Sequence, residues 1–577
     1  MKEDLIKKFL SPSKKVGFDK AASPEETLKR LDEAFKNSGI KLCSGVERVD
    51  KGRLGIPVYM SFYDIEGRAV TGKYKQMGKG STEELAKVSA LMELVERFSI
   101  FSFIEVLETL SERGTHLDFE EVIPKEELLK AVEDDEDEDL VIKLLDEVPM
   151  HYVRALDVTG KREVWLPFLW FWLIHEYNGS AAGNTYPEAA MQGLCEVIER
   201  HVSELFTRGS HALPEVIPEP AGEELEKLLE AYQKLGVKLW IRDMTHGMPV
   251  PTLGVMAMDP STFPKRSEIV FTAGTSTSPE RALIRALTEV AQLAGDFDTE
   301  GRYEESGLPK FRDLKEAEKF TQTEGKLTLK DLPDISKGDH AEELLELADA
   351  LSKRGFKVYL IDVTQPLLGI PVVYSVIPGT LFRERAKISP LHHLIKVANF
   401  TLPSSLRKEL LERLTQQVPE RYFLWGYLGT ALKEEGKFDE ALMAYEKALR
   451  LEPPIEDAVA ILTHISELHL RSENYSRAVE TALKALELKP LAEVYNLLGR
   501  AYYKLGDYYK AMDAFLQATE LNPASAIDYA NIGYCLKALN QLGAAVIYFR
   551  KALVLDPDLT MAKRGLEYCE AVLNSQN

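Results

Sequence analysis

The sequence predicts a mixed α/β domain followed by an all-α solenoid of helical repeats. Two observations lead to this fold class. Apolar strand-like runs alternate with helical segments over the first two thirds of the 577-residue chain, and a helix-pair frame recurs about every 34 residues in the last third. A chain of this length exceeds one hydrophobic core. We predict an α/β domain over residues 1–385, a helical linker over 386–415 and the solenoid over 416–577.

The strand-like runs of the first domain are rich in β-branched and aromatic residues. They are GIPVYMSFYDI, PVPTLGVMAM, KRSEIVFTAG, FKVYLIDV and GIPVVYSVI. The most apolar run, VWLPFLWFWLI, begins at Val164 and is interrupted by Pro167. It falls short of the roughly 20 residues that span a bilayer, so we interpret it as a buried strand or helix and expect no membrane partner.

Charge and cysteine content exclude further classes of protein. The net charge of −21 argues against a nucleic-acid partner, because a phosphate backbone is bound by clustered Lys and Arg. Four scattered cysteines without a C-x-x-C pair argue against a disulfide framework or a zinc site. With a charged start that lacks a signal-peptide core, they favour a reducing, cytoplasmic location.

Three helices of the α/β domain share one design. Each follows a glycine-containing loop and begins at a capping residue, which leaves backbone N–H groups and the positive end of the helix dipole facing outward. The residue pairs that predict these helix starts are Ser81 with Glu84, Thr185 with Glu188, and Ser278 with Pro279.

Further along, the same helices carry charge among apolar residues. An E-x-x-E-R motif occurs at Glu93 and again at Glu196, and the third helix carries Arg285 and Glu289. Residues three or four apart share a helix face. One such motif is ordinarily a solvated face with an internal salt bridge. Its repetition with apolar flanks indicates a site, and the absence of Glu-x-x-His argues against a di-iron centre.

Carboxylates that face one cavity repel each other unless cations intervene. Mg²⁺ is a hard cation that takes oxygen ligands together with water and phosphate, and arginine binds phosphate oxygens in a fork. The motif therefore predicts a nucleotide triphosphate site. The segment GKYKQMGKG is not a P-loop, because five residues separate Gly72 from Gly78, and Gly80 follows Lys79 where the P-loop has Ser or Thr.

The last third resembles the tetratricopeptide repeat. The frame W-x2-LG-x2-L-x3-G-x4-A-x3-Y-x2-A-x4-P begins at Trp425 and recurs more loosely. We predict about four repeats, the second of them degenerate at Ser466 and Glu473, and a capping helix in TMAKRGLEYCEAVLNSQN. The frames run over 425–453, 462–490, 495–523 and 529–557.

The motifs of the first domain together resemble the YcaO family. The resemblance covers most of residues 15–385 and rests on S-x3-E-x-x-E-R from Ser89, on G-N-T-x2-E-A with G-x-x-E-x-x-E-R from Gly183, and on A-L-x-R-A-L-x-E-x-x-Q from Ala282. It implies binding of ATP and Mg²⁺ between helices, and ATP-dependent phosphorylation of a peptide backbone amide oxygen. A side-chain nucleophile then gives an azoline, and a sulfur donor a thioamide.

Residue roles follow from the same resemblance. Ser89 and Asn184 would line the ATP site, and Lys20 and Thr27 would contact ATP from the N-terminal segment. The implied catalytic, phosphate-facing arginines are Arg97, Arg200 and Arg285. The implied Mg²⁺ ligands are Glu93, Glu96, Glu188, Glu196, Glu199 and Glu289.

Two functional hypotheses remain open. The first is an amide-activating enzyme whose repeats dock a peptide or protein client or a partner enzyme. A YcaO domain with repeats is similar to the bacterial members that act as accessory factors in β-methylthiolation of a ribosomal protein. The chain ends in EAVLNSQN rather than the proline-rich tail typical of azoline-forming members, which argues against that product. The alternative is a nucleotide-regulated adaptor. A homodimer is left open.

Overall fold

The structure is a computed structural model that describes residues 4–17, 19–132, 137–209, 212–299, 308, 310–382 and 388–575. The chain divides into two compact units, Met1–Val397 and Ala398–Asn577. An α/β region precedes a run of helices, as predicted. Among the described residues, no helix combines the length and apolar character needed to cross a membrane.

All the described strands belong to the first unit. They are β1 (Cys43–Arg48), β2 (Val58–Tyr63), β3 (Lys75–Lys79), β4 (Glu112–Gly114), β5 (Met150–Asp157), β6 (Arg162–Pro167), β7 (Ser180–Ala182), β8 (Glu215–Ile217), β9 (Lys238–Asp243), β10 (Thr252–Met258), β11 (Val270–Thr275), β12 (Lys326–Thr328), β13 (Tyr359–Asp362) and β14 (Val372–Val376). Each predicted strand run forms a strand, respectively β2, β10, β11, β13 and β14.

Helices cover and connect these strands. Those up to residue 401 are α1 (Leu5–Leu10), α2 (Pro24–Ser38), α3 (Ile65–Thr71), α4 (Glu83–Glu105), α5 (Leu107–Leu110), α6 (Lys125–Leu129), α7 (Glu138–Leu144), α8 (Phe168–His175), α9 (Tyr186–Arg208), α10 (Glu223–Leu235), α11 (Pro279–Ala294), α12 (Glu318–Thr321), α13 (His340–Ser352) and α14 (Pro390–Thr401). The apolar run from Val164, which we interpreted as a buried strand or helix, contains one of each. It begins within β6, which ends at Pro167, and continues directly into α8.

The strands form three sheets. The first is antiparallel, in the order β1-β2-β3. The second has the order β11-β10-β9-β8-β12, with β12 parallel to β8. The third has the order β4-β5-β13-β14-β7, and β6 also pairs with β5. The three charged helices each rest on strands: α4 on β2 and β3, α9 on β14 and β7, and α11 on β10 and β11.

Close packing at glycines brings two of these helices onto their strands. A Cβ on Gly78 in β3 would lie 2.0 Å from the backbone nitrogen of Ala90 in α4. A Cβ on Gly274 in β11 would lie 2.3 Å from the carbonyl oxygen of Ala282 in α11. Real Cβ atoms do not approach so closely, so only glycine permits this packing.

The second unit is built from helix pairs. Its helices are α15 (Ser404–Gln417), α16 (Tyr422–Glu434), α17 (Phe438–Arg450), α18 (Ile455–Arg471), α19 (Tyr475–Leu488), α20 (Ala492–Leu505), α21 (Tyr508–Leu521), α22 (Ala526–Ala538), α23 (Leu542–Leu555) and α24 (Thr560–Ser575). The predicted pairs are α16/α17, α18/α19, α20/α21 and α22/α23, and α24 is the predicted capping helix.

A small residue in the first helix of each pair faces the second helix. A Cβ on Gly533 would lie 2.7 Å from the Phe549 ring, and Gly429 and Gly499 have the same relation to an aromatic ring. The degenerate repeat has Ser466 at this position, where its hydroxyl donates to the Ala478 carbonyl at 2.9 Å. Ala482 replaces the aromatic residue there, which leaves room for the serine side chain.

Candidate active site

A cavity of about 400 Å³ lies between α4, α9 and α11. Its wall contains every residue that the sequence assigned to the nucleotide and metal site: Lys20, Thr27, Ser89, Glu93, Glu96, Arg97, Asn184, Glu188, Glu196, Glu199, Arg200, Arg285 and Glu289. Residues far apart in sequence therefore share one cavity.

The start of α4 differs from the prediction by one residue. Thr82, not Ser81, is the N-cap, and its hydroxyl oxygen accepts from the Leu85 N–H at 3.3 Å. The Ser81 hydroxyl donates instead to Glu224 on α10 at 2.5 Å. Two adjacent hydroxyl residues fit the capping pattern equally well, and the tertiary contact to Glu224 uses one of them.

The start of α9 was predicted correctly, but Glu188 has other partners. The Thr185 hydroxyl oxygen accepts from the Glu188 N–H at 3.3 Å, which makes Thr185 the N-cap. The Glu188 carboxylate accepts from the Ala21 N–H at 3.0 Å and lies 3.6 Å from the Lys20 ammonium. This carboxylate therefore fastens the N-terminal segment to the cavity.

Asn184 lies at the centre of a buried hydrogen-bond chain. The Thr27 hydroxyl donates to Asn184 Oδ1 at 3.0 Å, and Asn184 Nδ2 donates to Glu188 Oε2 at 3.3 Å. Thr27, Asn184 and Glu188 are all buried. This series of hydrogen bonds makes neighbours of Thr27 and Asn184, two residues that the sequence assigned to the nucleotide site from widely separated segments.

The first E-x-x-E-R motif surrounds Arg97. Its guanidinium pairs with Glu96, lies 3.7 Å from Glu93 and stacks on the Tyr177 ring with 4.1 Å to the centroid. Burial, with Glu196 and Glu93 nearby, raises the pKa of Glu96 to about 8 against the lowering effect of Arg97. Burial likewise raises the pKa of Glu93.

The second motif is held by backbone donors. Glu196 accepts from the Gly179 N–H at 3.1 Å and lies 3.6 Å from Arg200. Glu199 accepts from the Thr275 N–H at 3.0 Å. Burial and the charge of Glu289 raise the pKa of Glu199 to about 7, although Arg200 opposes this.

The third helix contributes an arginine and a glutamate to the same cavity. Helix α11 begins at Pro279 as predicted, with Ser278 at the N-cap position, but the Ser278 side chain makes no capping hydrogen bond. Arg285 Nη1 donates to Gln192 on α9 at 2.7 Å. Glu289 forms an ion pair with Lys79 of β3. Burial would raise the pKa of Glu289, but Lys79 and the arginines hold it below its ordinary value.

Lys79 lies in the cavity wall, and the sequence did not reveal it as a site residue. Its segment fits a glycine-containing loop before α4 and fails the P-loop pattern, and neither interpretation assigns the lysine a role. The sequence did contain a signal for this residue, because Lys79 stands between Gly78 and Gly80. Both glycines pack on α4, and this packing places the lysine side chain at the end of β3, beside the cavity. Gln192 and Ser180 were also missed; Ser180 donates to Glu96 at 2.7 Å.

Cys195 lies in the cavity wall but has no sign of reactivity. It is buried, and burial raises the pKa of its thiol to about 12. A thiol that stays protonated at neutral pH is a poor nucleophile. We therefore assign Cys195 a packing role.

The donor set of the cavity suits a hard divalent cation. Carboxylates are the ligands Mg²⁺ prefers. Burial, with a smaller contribution from neighbouring carboxylates, raises the pKa of Glu93, Glu96 and Glu199. Within the described ranges, no group of three or more His, Cys, Asp or Glu is already arranged around a metal position. The carboxylates are turned toward arginine, lysine and backbone donors instead.

Comparison with known proteins identifies the first domain. The family model described as YcaO cyclodehydratase, ATP- and Mg²⁺-binding, matches residues 77–381, more than half of the chain. The chain therefore belongs to the YcaO family, and ATP and Mg²⁺ are its cofactors. Tetratricopeptide-repeat models match residues 428–493, 492–525 and 529–559. The predicted combination of a YcaO domain with C-terminal repeats is confirmed.

Similar individual proteins include two curated relatives. An uncharacterized protein of Methanothermobacter thermautotrophicus is 28% identical over 392 residues, covering 62% of this chain and 94% of that protein. The ribosomal protein S12 methylthiotransferase accessory factor YcaO of Escherichia coli is 26% identical over 371 residues, covering 58% of this chain. The match spans 61% of the E. coli protein, less than two thirds of its length.

Among solved structures, one described as a heterocyclase in complex with substrate and cofactor matches the fold. The TM-score is 0.51 at 20% identity, with 66% of this chain and 55% of that chain covered. At this identity the likeness shows the α/β fold alone.

Proposed function

We propose that this protein uses ATP and Mg²⁺ to phosphorylate the oxygen of a backbone amide in a peptide or protein. Its repeats would dock the client or a partner enzyme. One observation carries the proposal: α4, α9 and α11 each bring glutamate and arginine to one cavity. Glutamates that can hold Mg²⁺ and arginines that can bind phosphate are the groups that stabilise a transferring phosphoryl group.

Each group of side chains would have a distinct role. The ligands of Mg²⁺ would be Glu93, Glu96, Glu188, Glu196, Glu199 and Glu289. Bound ATP with Mg²⁺ supplies the phosphoryl group and neutralises its charge. Arg97, Arg200 and Arg285 would bind phosphate oxygens, because all three line the cavity and a guanidinium group binds phosphate in a fork. Lys20 and Thr27 would close the site from the N-terminal segment.

Phosphorylation would overcome the low reactivity of the amide group. An amide oxygen is a poor leaving group, and phosphorylation converts it into a good one that a nucleophile can displace as phosphate. The protein contributes orientation and fixed positive charge, because arginines held by carboxylates need little rearrangement as charge develops. Azoline and thioamide products both remain open under this chemistry.

The name of the E. coli relative supports a more specific setting. An accessory role in β-methylthiolation of a ribosomal protein would combine amide chemistry with recruitment of a second enzyme, and helical repeats suit such recruitment. The alternative is an adaptor in which nucleotide only regulates docking. The two functions predict different effects of a client protein: it should accelerate ATP turnover by an amide-activating enzyme but not by an adaptor.

The test measures ADP release by the full chain with ATP and Mg²⁺, without and with proteins of the small ribosomal subunit. We expect the added proteins to accelerate ADP release, and Glu196→Gln to reduce it by about a hundredfold. Glu84→Gln, on the exposed start of α4, is the matched control and should behave like the native protein. Nucleotide binding without any ADP release would favour the adaptor.

A further inference from the structure

The first helices of the repeats lie side by side and share one face. Helix α16 contacts α18, α18 contacts α20, and α22 contacts α24. Between α20 and α22, Asn496 Nδ2 donates to Asp528 Oδ1 at 2.6 Å. Helices α20 and α22 each pack on the second helix of their own pair at a glycine position and also on the second helix of the preceding pair. This leaves one further face of α20, α22 and α24.

Aromatic and cationic residues alternate on this surface, which we name the basic–aromatic face. Arg500, Tyr534 and Tyr568 occupy equivalent positions about one 34-residue repeat apart. Tyr503 and Lys537 are equivalent in the same way, one helical turn further on. The face consists of Arg500, Tyr503, Tyr534, Lys537, Arg564 and Tyr568.

The rings and cations of the face contact one another. The Lys537 ammonium lies 3.8 Å from the centroid of Tyr568 and 5.6 Å from that of Tyr534. Tyr534 is fixed by a hydrogen bond from its hydroxyl to the Met561 carbonyl at 2.9 Å. Arg564 also lies close enough to Tyr534 to lower the pKa of its phenol, although burial raises it more.

Carboxylates do not neutralise this face. Within the described part of the second unit, Arg500, Lys537 and Arg564 have no ion-pair partner, and Arg500 and Arg564 are exposed. The preceding repeats differ, because there Glu467 pairs with Lys433 at 2.9 Å and with Arg471 at 2.9 Å. An uncompensated positive face stands out in a chain of net charge −21.

We propose that the basic–aromatic face binds an acidic peptide segment of a partner protein. Its carboxylates would pair with Arg500, Lys537 and Arg564, and its apolar side chains would pack on the tyrosine rings. This rests on the proposed function and names the kind of partner that the repeats dock. Nucleic acid also combines anionic and stacking groups, but the three cations of the face are few for a partner that is bound through many phosphates.

The test measures binding of a short fluorescein-labelled peptide of alternating Glu and Leu to the full chain, by fluorescence anisotropy. A peptide with Gln in place of Glu is the probe control. We expect the Glu peptide alone to bind, and added salt to weaken it. The double variant Arg500→Gln/Arg564→Gln should bind about tenfold more weakly. Lys484→Gln/Lys510→Gln, on the second helices α19 and α21, makes the same charge change and should leave binding unchanged, because each lysine pairs with a carboxylate only three or four residues away.

Equal binding of the two peptides, no binding of either, or full affinity of the Arg500→Gln/Arg564→Gln variant would overturn the proposal. So would tighter binding of a single-stranded oligonucleotide than of the Glu peptide. Binding of a non-hydrolysable ATP analogue, measured on the same preparation, separates this from the proposed function. If the protein binds the ATP analogue but not the Glu peptide, the docking face is rejected and the nucleotide site stands. If it binds the Glu peptide but not the analogue, the nucleotide site is rejected and the docking face stands.

Discussion

Lys79 on β3 and Glu289 on α11 form an ion pair in the wall of the cavity between α4, α9 and α11. The pair joins the three-stranded sheet to the helix that rests on the second sheet. Lys79 also lowers the pKa of Glu93 and of Glu199, against the effect of burial. It is therefore a resident cation for carboxylates drawn from three helices.

Replacement of Lys79 by Met should make the protein more dependent on Mg²⁺ for stability. Without the ammonium, Glu289 and Glu199 repel each other, which we expect to cost about 1–3 kcal/mol of unfolding free energy when metal is absent. The measurement is the rise in melting temperature on adding MgCl₂, which should be larger for Lys79→Met than for the native protein. Lys75→Met, exposed on the same strand, is the control. Equal rises in all three proteins would contradict the role assigned to Lys79.

A methyl group at Gly78, beside the cavity, should lower both the stability of the protein and its affinity for nucleotide. A Cβ there meets the backbone of α4, so Gly78→Ala must push β3 away and carry Lys79 with it. We expect a loss of about 2–3 kcal/mol in unfolding free energy by urea denaturation, together with weaker binding of an ATP analogue. Gly45→Ala in β1, where a Cβ meets nothing within 4 Å, should be nearly neutral. Comparable losses at both glycines would refute the packing argument.

The first unit should lose stability in mild acid through its buried histidines. Burial lowers the pKa of His175 and of His393 to about 3, whereas an unfolded histidine titrates near 6.5. Stability is complete above pH 6.5 and falls as the pH drops toward 3, because only the unfolded chain binds these protons. The slope is about 1.4 kcal/mol per pH unit for each histidine.

The variant His175→Phe keeps a ring stacked on Phe382 but removes one titrating group. We follow its unfolding free energy by tryptophan fluorescence between about pH 7 and pH 5. The free energy should fall less steeply with decreasing pH than in the native protein, because one histidine no longer contributes to the slope. An unchanged slope would show that His175 does not contribute to acid sensitivity.

In the second unit, Gly533→Ala tests the packing of a repeat. The new methyl group would meet the Phe549 ring at 2.7 Å, and the ring is fully buried with Gly565 packed against it as well. We expect a loss of about 1–3 kcal/mol, read from thermal unfolding. Gly543→Ala on α23, in open space, should be neutral or slightly stabilising. A smaller loss at Gly533 than at Gly543 would show that the ring accommodates the methyl group.

The repetition of the E-x-x-E-R motif was the informative feature of the sequence. One such motif is ordinarily a solvated face, whereas two with apolar flanks indicate helices that turn charge inward, and both motifs line one cavity. The repeat frame was equally informative, because each glycine and aromatic pair is local in sequence and packs within one helix pair.

Contacts between distant segments could not be deduced in this way. The pairing of Lys79 with Glu289 depends on how a sheet meets a helix far along the chain, and no periodicity encodes that meeting. The N-cap of α4 was assigned one residue early because Ser81 and Thr82 satisfy the same local rule, and only Glu224 of another helix separates them.

The central claim is that the duplicated motif forms an ATP and Mg²⁺ site. Calorimetric titration of the full chain with a non-hydrolysable ATP analogue, with and without Mg²⁺, tests it most directly, using Glu93→Gln, Glu196→Gln and the exposed control Glu84→Gln. We predict magnesium-dependent binding to the native protein and to Glu84→Gln, and its loss in the other two variants. Absence of binding to the native protein, or equal binding by all four proteins, would contradict the account.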